Sequence, residues 1–192
     1  DVVDNPVEAK ANERLPGGFL VKQRLGKGST AVAFLVEKGG RTQVLKLALS
    51  TEHNARLHDE AEVLRKLRHH LIVELYDEVD VQGLRGLLMA QAGKETLTQR
   101  LRSDGRLHID LLQRFGDDLL DALYWLEQNG IPHRDLKPDN IGIAAVGRGD
   151  SLHLVLYDFS LSRTPAERIR AGTIPYLDPF LSQRKPPRWD ES

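Results

Sequence analysis

The chain has no cysteine, which excludes a disulfide framework and any thiolate metal site. That absence fits a cytoplasmic protein, and a cytoplasmic location is the expectation here. Long apolar runs are lacking too: nothing approaches the roughly 18 apolar residues that a membrane-crossing helix needs, and no signal-peptide pattern opens the chain. Nor is charge of one sign in excess. With 27 Lys and Arg against 28 Asp and Glu the net charge is -1, so bulk electrostatics give no sign of a nucleic-acid or membrane partner. What is present, 192 residues that are 40% hydrophobic and 29% charged, suits one globular domain in two lobes. The chain begins at Asp1 rather than Met and is read as a segment of a longer polypeptide.

Residues 1–14 are polar, are interrupted by Pro6 and carry no apolar period, so they read as a linker or lead-in. Leu15-Pro16-Gly17-Gly18 is a turn. Apolar residues then recur at strand spacing from Phe19 to Leu25, from Ala31 to Val36 and from Val44 to Leu49, an antiparallel meander. Between the first two strands lies Gly26-Lys27-Gly28-Ser29-Thr30-Ala31, a G-x-G-x-x-G with alanine in the last place. Such glycines let the backbone lie close over phosphates, although two glycines in a hairpin turn need no ligand to explain them. Lys46 tips the balance. Strand alternation puts Val44, Lys46 and Ala48 on one face and Leu45, Leu47 and Leu49 on the other, so a lysine on the third strand shares a face with small apolar residues and can reach the same phosphates. From Glu52 to Arg68 the spacing predicts a helix in which Leu57, Ala61, Leu64 and Leu67 share an arc that includes Glu60 but not Asp59 or Glu62. A carboxylate on the buried face needs a cation, and Lys46 is the candidate.

Leu71-Ile72-Val73 and Leu84 to Met89 are expected to complete the small sheet, and Gln91 to Thr98, polar and containing Gly93, reads as a hinge. Ile109 to Gln128 is a long helix with apolar residues over about half its circumference, which predicts burial on more than one side. A hairpin follows at Ile141 to Val146 and Leu152 to Tyr157, turning at Gly147-Arg148-Gly149-Asp150; the Arg-Gly-Asp is read as turn chemistry rather than as an adhesion motif.

Just before that hairpin, His133-Arg134-Asp135-Leu136-Lys137-Pro138-Asp139-Asn140 fits H-R-D-L-x-x-x-N at every fixed position. The spacing has a chemical reason. One carboxylate, Asp135, can accept a hydroxyl proton while an amide oxygen five residues on, Asn140, holds a metal ion on nucleotide phosphates, and Lys137 offers a positive charge to the group in transit. Asp158-Phe159-Ser160 closes the hairpin as a D-F-G with serine in the glycine slot, and Asp158 is the expected second metal ligand.

In this order the motifs resemble a Hanks-type protein kinase of the serine/threonine branch, over about Leu15 to Phe180. The resemblance implies an α+β, bilobal protein-kinase-like fold: an antiparallel-sheet N-lobe over 15–89 and a hinge and mainly helical C-lobe over 90–192, incomplete after the activation segment. It implies transfer of the γ-phosphate of Mg-ATP to Ser or Thr hydroxyls of a protein substrate. Gly26 and Gly28 would cover the phosphates, Lys46 would pair with Glu60, Met89 would be the gatekeeper and Ala90 to Ala92 would present backbone groups to adenine. Asp135 would be the base, Lys137 would assist transfer, and Asn140 and Asp158 would hold Mg²⁺. Above the adenine the family pattern has valine at position 33 and alanine at position 44; this chain has Ala33 and Val44, a volume-conserving exchange. His133 and Phe159 would stack with Leu64 in an apolar spine, and Thr173, after Gly172, would bridge Asp135 and Lys137.

More narrowly, Ile131-Pro132-His133, the Gly-Arg-Gly-Asp turn, Asp158-Phe159-Ser160-Leu161-Ser162 and Tyr176-Leu177-Asp178-Pro179-Phe180 are similar to the kinase domain of large bacterial phage-defence proteins of the phage-growth-limitation type. This implies a cytoplasmic bacterial kinase whose C-lobe is completed by the remainder of a longer polypeptide. The chain also departs from the pattern. Ala31 stiffens the phosphate loop, Ser160 loses the freedom of a glycine, and Phe180 replaces the glutamate of A-P-E. Ile169 stands where many relatives have a phosphorylatable Thr, which leaves Glu167 or a phosphorylated Thr164 as anions for Arg134. A pseudokinase or nucleotide-binding module, and a small-molecule phosphotransferase of kinase-like fold, are the alternatives. The presence of Lys46, Asp135, Asn140 and Asp158 argues against the first, and Lys137 with Gly172-Thr173 against the second.

Overall fold

Alternating apolar residues build an antiparallel sheet from β1 (Arg14–Leu15), β2 (Phe19–Lys27), β3 (Ala31–Lys38), β4 (Arg41–Ala48), β5 (Leu75–Val81) and β6 (Leu84–Met89), in the order β1-β2-β3-β4-β6-β5. The structure is a computed structural model that describes residues 2–146 and 151–163. Contacts divide the chain into two units, residues 1–62 with 74–91 and residues 63–73 with 92–192. The sheet belongs to the first. One of its faces carries Val32, Phe34, Val36, Leu45 and Leu47, all fully buried, together with Phe19, Val21, Val81 and Leu88. Gly86 sits among them because a Cβ there would lie 2.8 Å from Leu45 Cδ1 and 3.0 Å from Val79 Cγ2.

The lead-in expected to be a linker is part of this core. Pro6–Glu8 forms a 3-10 turn capped by the Asn5 side chain, and Val7 and Ala9 are 8% and 1% exposed in the same apolar cluster as Phe34 and Leu45. The backbone is tied as well: the Val3 amide donates to the Arg14 carbonyl (3.0 Å), Asn12 N–H to Val21 O (2.8 Å) and Val21 N–H to Glu13 O (2.9 Å).

α1 (Asn54–Lys66) follows the sheet's fourth strand through a 3-10 turn at Thr51–His53. Leu57, Glu60, Ala61, Val63 and Leu64 are buried, and Asp59 is exposed, which is the phase the sequence predicts. Leu71-Ile72-Val73 departs from expectation: it is not a strand of the six-stranded sheet but belongs to the second unit, where Val73 N–H donates to Leu156 O (2.9 Å) and Leu156 N–H to Leu71 O (2.8 Å). The sheet's outer strand is instead Leu75–Val81, whose acidic Asp77, Glu78 and Asp80 suit an edge.

In the second unit the polar stretch expected as a hinge contains β7 (Glu95–Thr96) and α2 (Leu97–Asp104), the helix opened by a reciprocal capping box between Thr96 and Gln99. α3 (Ile109–Gln128) buries Phe115, Asp118, Ala122 and Leu126. Among the described residues it is not covered on its other side, since Ile109, Leu112, Leu120 and Tyr124 are exposed. β8 (Ile141–Ala145) and β9 (Leu152–Leu156) form the expected hairpin, with β7 paired to β8. α3 is fastened to it by a buried carboxylate: Asp118 accepts from Leu154 N–H (2.9 Å) and pairs with His153 Nδ1 (2.9 Å). Two glycines allow a close backbone crossing. A Cβ on Gly142 would lie 1.7 Å from the Ala92 oxygen and one on Gly93, at φ +88, 1.8 Å from the Ile143 oxygen.

The antiparallel-sheet unit and the helix-bearing second unit make an α+β fold, as expected. The turn expected at Gly147 to Asp150 and everything from Thr164 on, including Glu167, Ile169, Gly172, Thr173 and Tyr176 to Phe180, lie outside the described residues.

Candidate active site

In the first unit, β3 and β4 run in register with Ala33 opposite Lys46 and Leu35 opposite Val44, and β6 adds Leu87 opposite Lys46 and Met89 opposite Val44. Directly paired residues share a face, so Ala33, Val44, Lys46 and Met89 lie together on the face opposite the apolar cluster. Ala33, Val44 and Lys46 are only partly buried there. The Lys46 ammonium reaches the helix: Nζ donates to Glu60 Oε2 at 2.8 Å and to Oε1 at 3.1 Å, with the two side chains 14% and 1% exposed. A carboxylate that deeply buried is retained because the lysine neutralises it, and the pair fixes the ammonium in turn. Gly26 and Gly28 stand at the end of β2 and in the turn after it, where the Gly28 amide donates to Ala31 O (2.8 Å). Neither is crowded: a Cβ on Gly26 would meet nothing within 4 Å. Ala90 at the end of this unit uses its N–H on Glu74 O (2.9 Å).

In the second unit the loop before β8 folds on itself. Arg134 (φ 67) and Asp158 (φ 64) are both in the left-handed region, a conformation that costs of order 1–3 kcal/mol for a residue with a side chain and persists where the surroundings enforce it. The enforcing groups are visible. Buried His133 accepts Asp135 N–H on Nδ1 (3.1 Å), so Nε2 carries the proton and donates to Tyr157 O (2.8 Å). Its ring meets Phe159 with centroids 4.6 Å apart. Tyr157 N–H donates to Asn140 O (3.2 Å), and the Tyr157 hydroxyl donates to Asp139 O.

Asp135 and Asn140 interlock. Asn140, 6% exposed, donates through Nδ2 to the Asp135 carbonyl (2.9 Å) and to its carboxylate Oδ2 (3.0 Å). Lys137 Nζ lies 3.8 Å from Asp135 Oδ1. Burial pushes the Asp135 carboxyl above the usual aspartate range; the Lys137 charge pulls it back, and the Asp158 charge pushes it up again. Asp158 is tied to its own turn: Ser160 Oγ donates to Oδ1 at 2.7 Å and the Ser160 amide reaches the same oxygen at 3.4 Å.

The donor chemistry fits magnesium. With Nδ2 committed to Asp135, the coordinating atom Asn140 has to offer is its amide oxygen, and Asp158 adds a carboxylate; hard oxygen ligands of this kind are what Mg²⁺ takes. Ala92 is in this unit, its carbonyl against Gly142. The pair Gly93 and Gly142 escaped the reading of motifs. In the sequence Gly93 reads only as a hinge glycine, and no one-dimensional pattern links it to Gly142.

This arrangement defines a class. The chain belongs to the protein kinase domain family, which matches residues 19–185, a family of phosphotransferases. Over 92% of its length it is 38% identical to a probable kinase, PglW, of Streptomyces coelicolor. It is 31% identical over 84% of its length to calcium/calmodulin-dependent protein kinase type 1 of Caenorhabditis elegans, and 27% identical over 90% to a probable serine/threonine-protein kinase, fhkD, of Dictyostelium discoideum. The chain spans 13%, 49% and 24% of those proteins, respectively.

Proposed function

We propose that this chain is the ATP-dependent phosphotransfer domain of a serine/threonine protein kinase. The observation that carries the reading is the interlock of Asp135 and Asn140, which puts a raised-pKa carboxylate beside a buried amide whose oxygen suits a metal. Asp135 accepts the proton of the attacking hydroxyl, and its position above the usual aspartate range makes it a better base than an exposed carboxylate. Lys137 balances the charge of the group in transit. Lys46, fixed by Glu60, binds nucleotide phosphates. Asn140 Oδ1 and Asp158 would hold Mg²⁺, which when bound neutralises phosphate oxygens. The context implied by the resemblance, a cytoplasmic bacterial phage-defence protein, belongs to the same proposal; the similarity to PglW, a probable kinase, supports the kinase reading.

The test is phosphotransfer from radiolabelled ATP to a generic protein substrate by the full-length protein. Asp135→Asn is expected to lower kcat by about 10²–10⁴-fold and to leave nucleotide affinity unchanged, because the base touches the acceptor and not the nucleotide. Wild-type turnover in Asp135→Asn would remove the assignment. Nucleotide binding without turnover in the wild type would leave a binding module instead.

A further inference from the structure

We propose that Ser160 is a positioning residue for Asp158, its hydroxyl holding carboxylate Oδ1 so that the side chain is presented to a metal ion in one orientation. The inference rests on the reading of Asp158 as a metal ligand and adds to it a group that the family pattern lacks.

The glycine of D-F-G can offer only its backbone N–H to the preceding Asp, and here that N–H is 3.4 Å from Oδ1, at the margin of a hydrogen bond. The Ser160 hydroxyl reaches the same oxygen at 2.7 Å. An O–H donor to an ionised carboxylate is among the stronger hydrogen bonds a side chain makes, so of the two Ser160 donors the hydroxyl is the one that holds Oδ1. The contact sits in a tight turn: the Asp158 backbone is held at φ 64, and Ser162 N–H donates back to Phe159 O (3.1 Å).

Two effects of the hydroxyl oppose each other. It withdraws charge from Oδ1, which weakens the carboxylate as a ligand, and it removes rotational freedom, which strengthens it. Orientation wins for a magnesium-type ion, which demands near-ideal octahedral geometry. Hydrogen bonds that orient ligating side chains are worth about 10–100-fold in metal affinity.

The experiment uses the full-length protein, Mn²⁺ as a paramagnetic probe and a non-hydrolysable ATP analogue, with bound Mn²⁺ followed by electron paramagnetic resonance. Ser160→Ala is expected to weaken Mn²⁺ binding about tenfold, and Ser160→Gly, the residue of the family pattern, to weaken it likewise. Ser160→Thr, which keeps the hydroxyl, should bind as the wild type does. Nucleotide affinity in the presence of a chelator should be the same in all four proteins. Mn²⁺ binding as tight as wild type, or tighter, in Ser160→Ala and Ser160→Gly overturns the proposal, provided Asp158→Ala loses the ion. If Asp158→Ala also binds Mn²⁺ like the wild type, the metal assignment itself has failed and the role of Ser160 falls with it.

Discussion

Lys46 and Glu60 form a buried ion pair, and its part in the fold can be pulled apart from the part in phosphate binding proposed for it. The Glu60 side chain is 1% exposed and its ion pair is short, so Lys46→Met takes a cation away from a carboxylate that water cannot reach. Removing one partner of a buried pair costs about 3–5 kcal/mol, and we expect about 3 kcal/mol here, because the Lys46 side chain, at 14% exposure, leaves a route for relaxation. Replacing both partners by apolar groups is often neutral, so Lys46→Met with Glu60→Leu should regain most of that stability in urea unfolding and regain none of the phosphotransfer. Stability that fails to return in the double variant would mean that the pair is not the main partner of Glu60. His69 gives a second prediction at this scale. Its Nδ1 accepts Leu71 N–H (3.2 Å), Asp121 lies 3.4 Å from Nε2, and Trp125 flanks the ring. Burial, aided by the neighbouring His70 charge, lowers its pKa below the ordinary 6.5; Asp121 opposes the shift. Below pH 6.5 the unfolded chain therefore takes up a proton that folded His69 refuses. The stability His69 contributes is full above that pH and is lost as the pH falls through its folded pKa. Denaturant titrations across this window should show stability rising with pH, and His69→Asn, which keeps an acceptor for Leu71 N–H, should flatten the slope.

Among the elements, the segment before the family-matched region carries the sharpest prediction. Val7 and Ala9 are buried in the cluster of Phe34 and Leu45, and burying a valine is worth about 1.5–3 kcal/mol. Deleting residues 1–10 from the full-length protein removes both side chains and wets the neighbours they cover, so it should cost about 2–4 kcal/mol. Limited proteolysis should then open the first unit at protease levels that leave the wild type intact; unchanged resistance would show the segment to be dispensable. Nothing in residues 1–14 announces this docking, because two small apolar residues after a proline make no period and only the partner face gives them meaning. The strands and helices with strong periods were legible: alternation gave β2, β3, β4 and the β8–β9 hairpin, and helical phase singled out Glu60 from Asp59 and Glu62. β5 was missed because the residues of an acidic edge strand stay half-exposed and show no clean alternation. α2 did leave a signal, since Thr96-Leu97-Thr98-Gln99 is a capping-box pattern, but it lies in a polar stretch that composition alone assigns to a hinge. The loop from His133 to Asn140 was readable as a motif, and its fixed spacing brings Asn140 onto Asp135. The Ser160 contact with Asp158 was not, because a sequence shows a substitution without showing where its hydroxyl points.

For the molecule as a whole, two pairs of glycines contrast. Gly93 and Gly142 hold the crossing of two backbones, with no room for a methyl: the nearest carbonyl oxygens would be 1.8 and 1.7 Å from the added carbon. Alanine at either should exceed the ~1–3 kcal/mol of ordinary overpacking, because backbone and not a flexible side chain is in the way, and soluble yield on expression should collapse for both. Gly26 and Gly28 differ: a Cβ at the first meets nothing within 4 Å and at the second only the Ala31 oxygen at 3.7 Å. Alanine there should leave the yield unchanged and, if these glycines make room for the nucleotide as proposed, reduce phosphotransfer. A saturation library sorted for abundance would therefore return glycine at positions 93 and 142, which belong to no motif, and accept replacements at positions 26 and 28. The same library sorted for turnover would recover the motif as well, and subtracting the first map from the second would trace the outline of the substrate.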